Sequence, residues 1–323
     1  MKKVLTMTLN PCIDRTVYME SFQVGGTNIV KKVMEEAAGK GINVAVGLKH
    51  LNVPVKAMGF SYKEDKDKLY GKLEKEQVPH SFVEVEGRLR VNQKLFDESK
   101  AQMTECNEKG VQVSEKDVQK LLGLLAIELA GTSVLVLSGS VPPGVAKDIY
   151  AVMTNMANKA GVKVVLDASG ELLTEGIKAN PYLIKPNREE FVKTFMPAEK
   201  RNVKTLDWEN TEAGYDDEII ISKAKELLIE NLRYICVSLG EEGAMLIRRE
   251  QTDGGILNPT VVADKRPAIS VPVRSLQGAG DAMVAGICKA IHDNAEEKML
   301  DYALHMAAST IMLEGTRMGN KVE

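Results

Sequence analysis

The sequence predicts an α/β fold built on a mostly parallel, doubly wound sheet, with a smaller β element set apart as a lid. Three observations predict it. Short apolar runs at 133–137 and 162–166 alternate with helical patterns at 118–129, 147–159 and 171–178, the order that makes parallel crossovers. Glycine-rich turns lie where such runs end or helices begin, at 39–41, 138–144 and 278–280, which is where open α/β sheets place their ligand loops. Two early runs, 16–21 and 28–36, read as strands more polar than a core tolerates, and are taken as part of the lid.

At 323 residues the chain can bury a sizeable core, as one large α/β domain with an appended element or as two domains. A formal net charge of -3 and 44% apolar residues argue against a nucleic-acid or membrane surface as the main partner. No apolar run approaches a membrane span, and Met1-Lys2-Lys3 enters a β-like stretch at once instead of a signal peptide, so a cytoplasmic protein is expected. Cys12, Cys106, Cys236 and Cys288 are scattered, as are His50, His80, His292 and His305, with no C-x-x-C or H-E-x-x-H. Reduced, mostly buried thiols are expected, and a His- or Cys-held metal is not.

Residues 4–9 read as a strand ending at Asn10-Pro11, where proline removes a ladder donor. Asp14, just past that end, can accept hydrogen bonds from sugar hydroxyls or be a solvated loop residue. The stretch Ala38-Gly39-Lys40-Gly41-Ile42-Asn43-Val44 opens a helix. Its glycines are either a plain turn or leave Gly39, Lys40 and Asn43 able to meet a ligand. It does not fit G-x-G-x-x-G, and G-x-x-x-x-G-K-[ST] occurs nowhere, so neither a dinucleotide fingerprint nor a P-loop is present. A strand follows at 53–60 and a charged helix at 65–76. Across 88–95 an extended chain puts Arg88, Arg90, Asn92 and Lys94 on one face and Leu89, Val91 and Leu95 on the other. Such a cationic row makes either a solvated face or an anion-binding strand with forked Arg donors.

Ser138 opens the loop at the carboxyl end of the run 133–137, and the run 162–166 ends at Asp167. Residues 182–184 lead into Lys185-Pro186-Asn187-Arg188-Glu189-Glu190, where Asn187 and Glu190 have the form of an N-cap and its reciprocal partner. The same residues can stand near phosphates, with Glu190 near Mg²⁺ through water. Residues 196–217 turn polar and acidic and predict a long loop or insertion. A helix at 218–229 precedes strands at 234–237 and 244–248, joined by the turn Ser238-Leu239-Gly240-Glu241-Glu242-Gly243. Residues 268–273 look β-like, and Met283, Val284, Ile287 and Ile291 recur at helical spacing, with a last helix at 296–314.

Gly278-Ala279-Gly280-Asp281 therefore sits at a helix start, whose unpaired N–H groups and positive partial charge suit a phosphoryl group. Asp281 beside such an anion would be costly unless it accepted the proton of an attacking hydroxyl. The plain alternative is a carboxylate that favours the helix dipole.

In order and spacing these motifs resemble the ribokinase-like (PfkB) sugar kinases over nearly the whole chain. The resemblance implies a three-layer α/β/α core in a single domain, 1–323, with a small β-sheet lid formed by about 12–36 and 82–107 that often mediates a homodimer. It implies Asp281 as base and Gly278, Ala279 and Gly280 as the anion hole. Asp14, Gly39, Lys40, Asn43, Asn92 and Ser138 would hold the sugar, and Arg90 and Lys94 a phosphate already on it. Lys185, Asn187, Ser238, Gly240 and Gly243 would bind ATP, with Glu190 serving Mg²⁺. Thr8-Leu9-Asn10-Pro11, Ala38-Gly39-Lys40-Gly41-Ile42-Asn43-Val44 and Arg90-Val91-Asn92-Gln93-Lys94 are most similar to members that phosphorylate fructose 1-phosphate at its 6-hydroxyl, with those acting on tagatose 6-phosphate second. A sugar or nucleotide sensor that kept the fold without catalysis is the alternative of another class.

Overall fold

The computed structural model describes residues 2–196, 217–228, 232–250 and 260–321. Among these, nine strands form the main sheet in the order β13 (Val261–Arg266), β12 (Ala244–Arg249), β11 (Tyr234–Ser238), β10 (Leu183–Ile184), β9 (Lys163–Asp167), β8 (Thr132–Ser138), β1 (Lys3–Thr8), β4 (Val55–Tyr62) and β5 (His80–Val85). The pairings β11–β12 and β12–β13 are antiparallel and the others parallel. From Val4 to Thr8 every residue of β1 is buried, with no alternation. A strand buried on both sides needs layers on both faces of its sheet.

Those layers are helical. Helices α1 (Lys40–His50), α8 (Ala279–His292) and α9 (Met299–Ile311) pack together, while α3 (Glu115–Glu128), α4 (Ile149–Lys159), α5 (Gly170–Ile177), α6 (Arg188–Phe195) and α7 (Asp217–Leu227) touch in succession. The contact of α8 with α9 is close enough that a Cβ on Gly286 would stand 2.4 Å from the Tyr302 carbonyl oxygen. Only glycine fits there. Helix α2 (Lys66–Lys75) packs against β4 and the smaller sheet.

That second sheet has the order β3 (Val30–Ala38), β2 (Cys12–Met19), β6 (Arg90–Asp97), β7 (Gln102–Asn107). It is assembled from two separate parts of the chain. Strands β2 and β6 pair in parallel, Asp14 against Asn92 and Thr16 against Lys94.

Two sequence expectations are corrected. Residues 82–85 belong to β5 of the main sheet and not to the small one, because β5 continues the parallel ladder beside β4. Residues 268–273 form no strand; Pro267 and Pro272 supply no ladder donors there, and the strand falls earlier, as β13. The long loop expected over 196–217 lies, from 197 to 216, outside the described residues.

The sheet order also locates a site. From β1 the chain adds β4 and β5 on one side, then crosses to build β8, β9 and β10 on the other. Where neighbouring strands lead away in opposite directions, their carboxyl ends leave a crevice.

Candidate active site

A cleft of about 900 Å³ opens at that crevice, between the ends of β1 and β8 and the small sheet. Asp14, Gly39, Lys40, Asn43 and Ser138 line it, as do Arg90, Asn92, Lys94, Glu190, Gly278 and Asp281. Residues from widely separated parts of the chain thus meet at one cleft.

Asp281 lies in the first turn of α8, behind the N-cap Gly278 with its left-handed φ of 78°. Lacking a side chain, Gly278 cannot cap the helix; the Ala279 N–H donates to the Leu276 carbonyl at 3.4 Å, and no side chain caps the turn's other N–H groups. The Asp281 carboxylate is 7% exposed and accepts a hydrogen bond from Asn43 Nδ2 at 2.8 Å. Burial pushes its carboxyl up to about 6; the nearby Asp167 charge adds to the rise, while Lys40, the Asn43 amide and Lys185 oppose it. A carboxylate tuned in this way is suited to taking a proton near neutral pH.

Two lysines and an aspartate lie behind it. Asp167, at the end of β9, bonds to Lys40 Nζ and Lys185 Nζ, each at 3.2 Å, and accepts from Ser138 Oγ at 3.1 Å. Burial opposes its charge, yet Lys185 and Lys40 outweigh burial and hold its carboxyl below the ordinary value. In return, Asp167 raises Lys40 well above its usual value against the effect of burial, with Asp281 and Glu190 adding to it. Lys185, 4% exposed, stands 3.7 Å from where a Cβ of Gly280 would be. Its ammonium therefore reinforces the positive end of α8.

On the small sheet, Asp14 accepts from Lys94 Nζ at 2.8 Å, Asn92 Nδ2 at 3.0 Å and Cys12 Sγ at 3.4 Å. Lys94 is thus paired with Asp14, and it also reaches Gln277 Oε1 at 3.0 Å. Arg90 donates from Nε to the Asn10 carbonyl and from Nη1 to Asn92 Oδ1 and the Glu108 carbonyl. Its Nη2 makes no hydrogen bond among the described residues. Arg88, expected on the same face, precedes the strand and does not itself line the cleft; it forms a fork to Glu108, which does.

Asn187, Ser238, Gly240 and Gly243 do not line the cleft. Asn187 and Glu190 form the reciprocal cap of α6, and Asn187 bridges to Ser238. At Gly243, φ is 96° and a Cβ would lie 2.0 Å from the Arg266 carbonyl oxygen, so the hairpin alone requires glycine. Glu190 does face the cleft. No group of three or more His, Cys, Asp or Glu among the described residues is placed to hold a metal. Glu190 suits an ion that keeps its waters and takes its other oxygens from phosphates, as Mg²⁺ does.

Asp167 and Gln277 escaped the sequence reading as site residues. The signal for Asp167 was available, since a carboxylate at the end of an apolar strand is what singled out Asp14. All four cysteines are free, and Cys12, Cys236 and Cys288 are buried. No described helix is long and apolar enough to cross a membrane.

Residues 7–322 match the family described as pfkB family carbohydrate kinase. The chain is 33% identical over 287 residues to a 1-phosphofructokinase of Haemophilus influenzae, covering 89% of this chain and 83% of that protein. It is 30% identical over 321 residues to a 1-phosphofructokinase of Vibrio cholerae, covering 99% and 93%. Among solved structures it is similar to phosphofructokinase-2 from Escherichia coli in complex with substrates and products, with a TM-score of 0.81, 24% identity, and coverage of 98% of this chain and 95% of that one. At that identity the likeness concerns the fold.

Proposed function

This chain belongs to the pfkB family of carbohydrate kinases, and from that membership we propose that it moves the γ-phosphoryl group of ATP to the 6-hydroxyl of fructose 1-phosphate, giving fructose 1,6-bisphosphate and ADP. The observation that carries this reading is the buried Asp281 carboxylate at the open mouth of α8, in a cleft shared with the cationic strand β6.

In this reading Asp14, held by Lys94 and Asn92, accepts hydrogen bonds from the ketose hydroxyls, with Gly39, Lys40, Asn43 and Ser138 completing the sugar's surroundings. Arg90 turns its unengaged Nη2 to the existing phosphate, and Lys94 adds charge beside it. The acceptor oxygen forms a bond to the γ-phosphorus while the bond from that phosphorus to the bridging oxygen breaks, leaving its electrons on ADP. The hydroxyl proton passes to Asp281. Amides of Gly278, Ala279 and Gly280, with the Lys185 ammonium, stabilise the migrating group. Asn187, Ser238, Gly240 and Gly243 take the rest of the nucleotide. Mg²⁺, when bound, neutralises charge on the nucleotide phosphates, and Glu190 is the residue that would hold it.

A second copy of the chain would cover the apolar residues that the small sheet and its β2–β3 connection leave bare, Ile29 at 82%, Val30 at 48% and Val33 at 42% exposure.

A coupled ADP assay over a panel of sugar phosphates tests the activity. Fructose 1-phosphate should give the highest kcat/KM; preference for tagatose 6-phosphate would reassign the acceptor, and no sugar-dependent ADP release would refute catalysis. Arg90→Ala should raise KM for the sugar phosphate more than for neutral fructose, and equal effects would make Arg90 structural.

A further inference from the structure

Gln277 lies in the turn that leads into α8, and its side chain reaches across to the small sheet. Its Oε1 accepts a 3.0 Å hydrogen bond from Lys94 Nζ, and the same ammonium donates to Asp14 Oδ2 at 2.8 Å. Lys94 is 6% exposed, so water is poorly placed to replace either acceptor. Along the chain, Gln277 leads directly into Gly278, the left-handed residue that opens α8. Its own backbone N–H donates to Ser275 Oγ at 3.2 Å, which fixes the approach to that turn. A parallel connection runs nearby: Thr316 Oγ1 donates to Glu36 Oε2 of β3 at 2.8 Å. The Thr316 carbonyl oxygen lies 3.9 Å from where a Cβ of residue 278 would stand. Both connections from the small sheet therefore end on residues around Gly278.

We propose that Gln277 is a positioning residue that ties the acceptor-holding pair Asp14 and Lys94 to the phosphoryl-binding turn, so that its amide helps to register sugar and migrating group to one another. The inference rests on the sugar-kinase reading, in which Asp14 holds the acceptor and Asp281 takes its proton. An amide suits this place because it accepts from an ammonium without setting another negative charge beside the path of the phosphoryl group. An aliphatic residue cannot accept at all.

The test compares Gln277→Val and Gln277→Glu by steady-state kinetics, melting temperature and hydrogen–deuterium exchange. In the Val variant KM for fructose 1-phosphate should rise about tenfold, the scale of one hydrogen bond to a charged group. KM for ATP should stay within about twofold and the melting temperature should hold. The Glu variant keeps an acceptor for Lys94 and should restore KM for the sugar phosphate, with kcat lowered by its charge. A merely structural side chain would raise both KM values together, lower the melting temperature and gain nothing from Glu; that pattern, or an unchanged sugar KM in the Val variant, overturns the proposal. Exchange on the ligand-free protein needs no turnover: amides of β2 and β6 should exchange faster in the Val variant, and unchanged rates there also overturn it. If the wild-type protein releases no ADP with fructose 1-phosphate or tagatose 6-phosphate, the kinase reading fails by itself, and the exchange rates still decide whether Gln277 joins the two elements.

Discussion

Asp281 must lose its proton to act as a base, yet its surroundings favour keeping it. Because its folded value of about 6 lies above the ordinary 3.8, the folded protein binds this proton more tightly than the unfolded chain. The stabilisation this brings is full below the ordinary value and is lost as pH climbs through about 6. Asp281→Asn should therefore melt above the wild-type protein at pH 7.5, by up to about 3 kcal/mol of stability, and the gap should close near pH 4. The same variant should keep ATP binding while turnover falls on the order of 10²-fold or more. Kinetically, log kcat/KM for the acceptor should decline below about pH 6 in the wild-type protein; an acid limb near pH 4 would separate Asp281 from the titration. The position of this residue was legible in Gly278-Ala279-Gly280-Asp281. Its elevated pKa was not, because the burial and the Asp167 charge that produce it come from elements far away in sequence.

The ends of β9 and β10 hold the site's lysines in place. Asp167, the last residue of β9, and Lys185, the residue that follows β10, form an ion pair with both side chains buried. Taking one charge from such a pair leaves the other without compensation, at a cost of about 3–5 kcal/mol. Asp167→Asn should lower the urea midpoint accordingly, and a shift under 1 kcal/mol, which exposed pairs give, would mean that Lys185 finds another partner. Most strands and helices could be read from apolar periodicity, since a buried strand needs an unbroken apolar run. The two-residue β10 was visible only as a lead-in to Lys185, and that it sets Lys185 beside Asp167 was not visible at all. The sequence reading placed a β-like run at 268–273, where Pro267 and Pro272 supply no ladder donors, and did not mark β13 at Val261–Arg266.

On the scale of the whole molecule, the small sheet is two-faced in its duties. Its inner residues reach into the cleft, and its outer margin bears Ile29 and Val33 in water. A dimer formed there should persist at micromolar concentration in sedimentation experiments. Val33→Asp should dissociate it with an unchanged circular dichroism spectrum; a wild-type monomer would dismiss the interface. The sequence marked these strands as too polar for a core, but which of their faces met solvent depended on the pairing of segments some 80 positions apart, such as Asp14 and Asn92. The close packing of α8 on α9 and α1 has an outcome for biosynthesis. The strand end and the first glycine pair leave the ribosome early, whereas Asp281 is translated more than two hundred residues later. A nascent chain stalled before residue 279 would hold Asp14, Gly39, Lys40 and Asn43 without Asp281, with the flank of α1 that packs on α8 uncovered and open to chaperones.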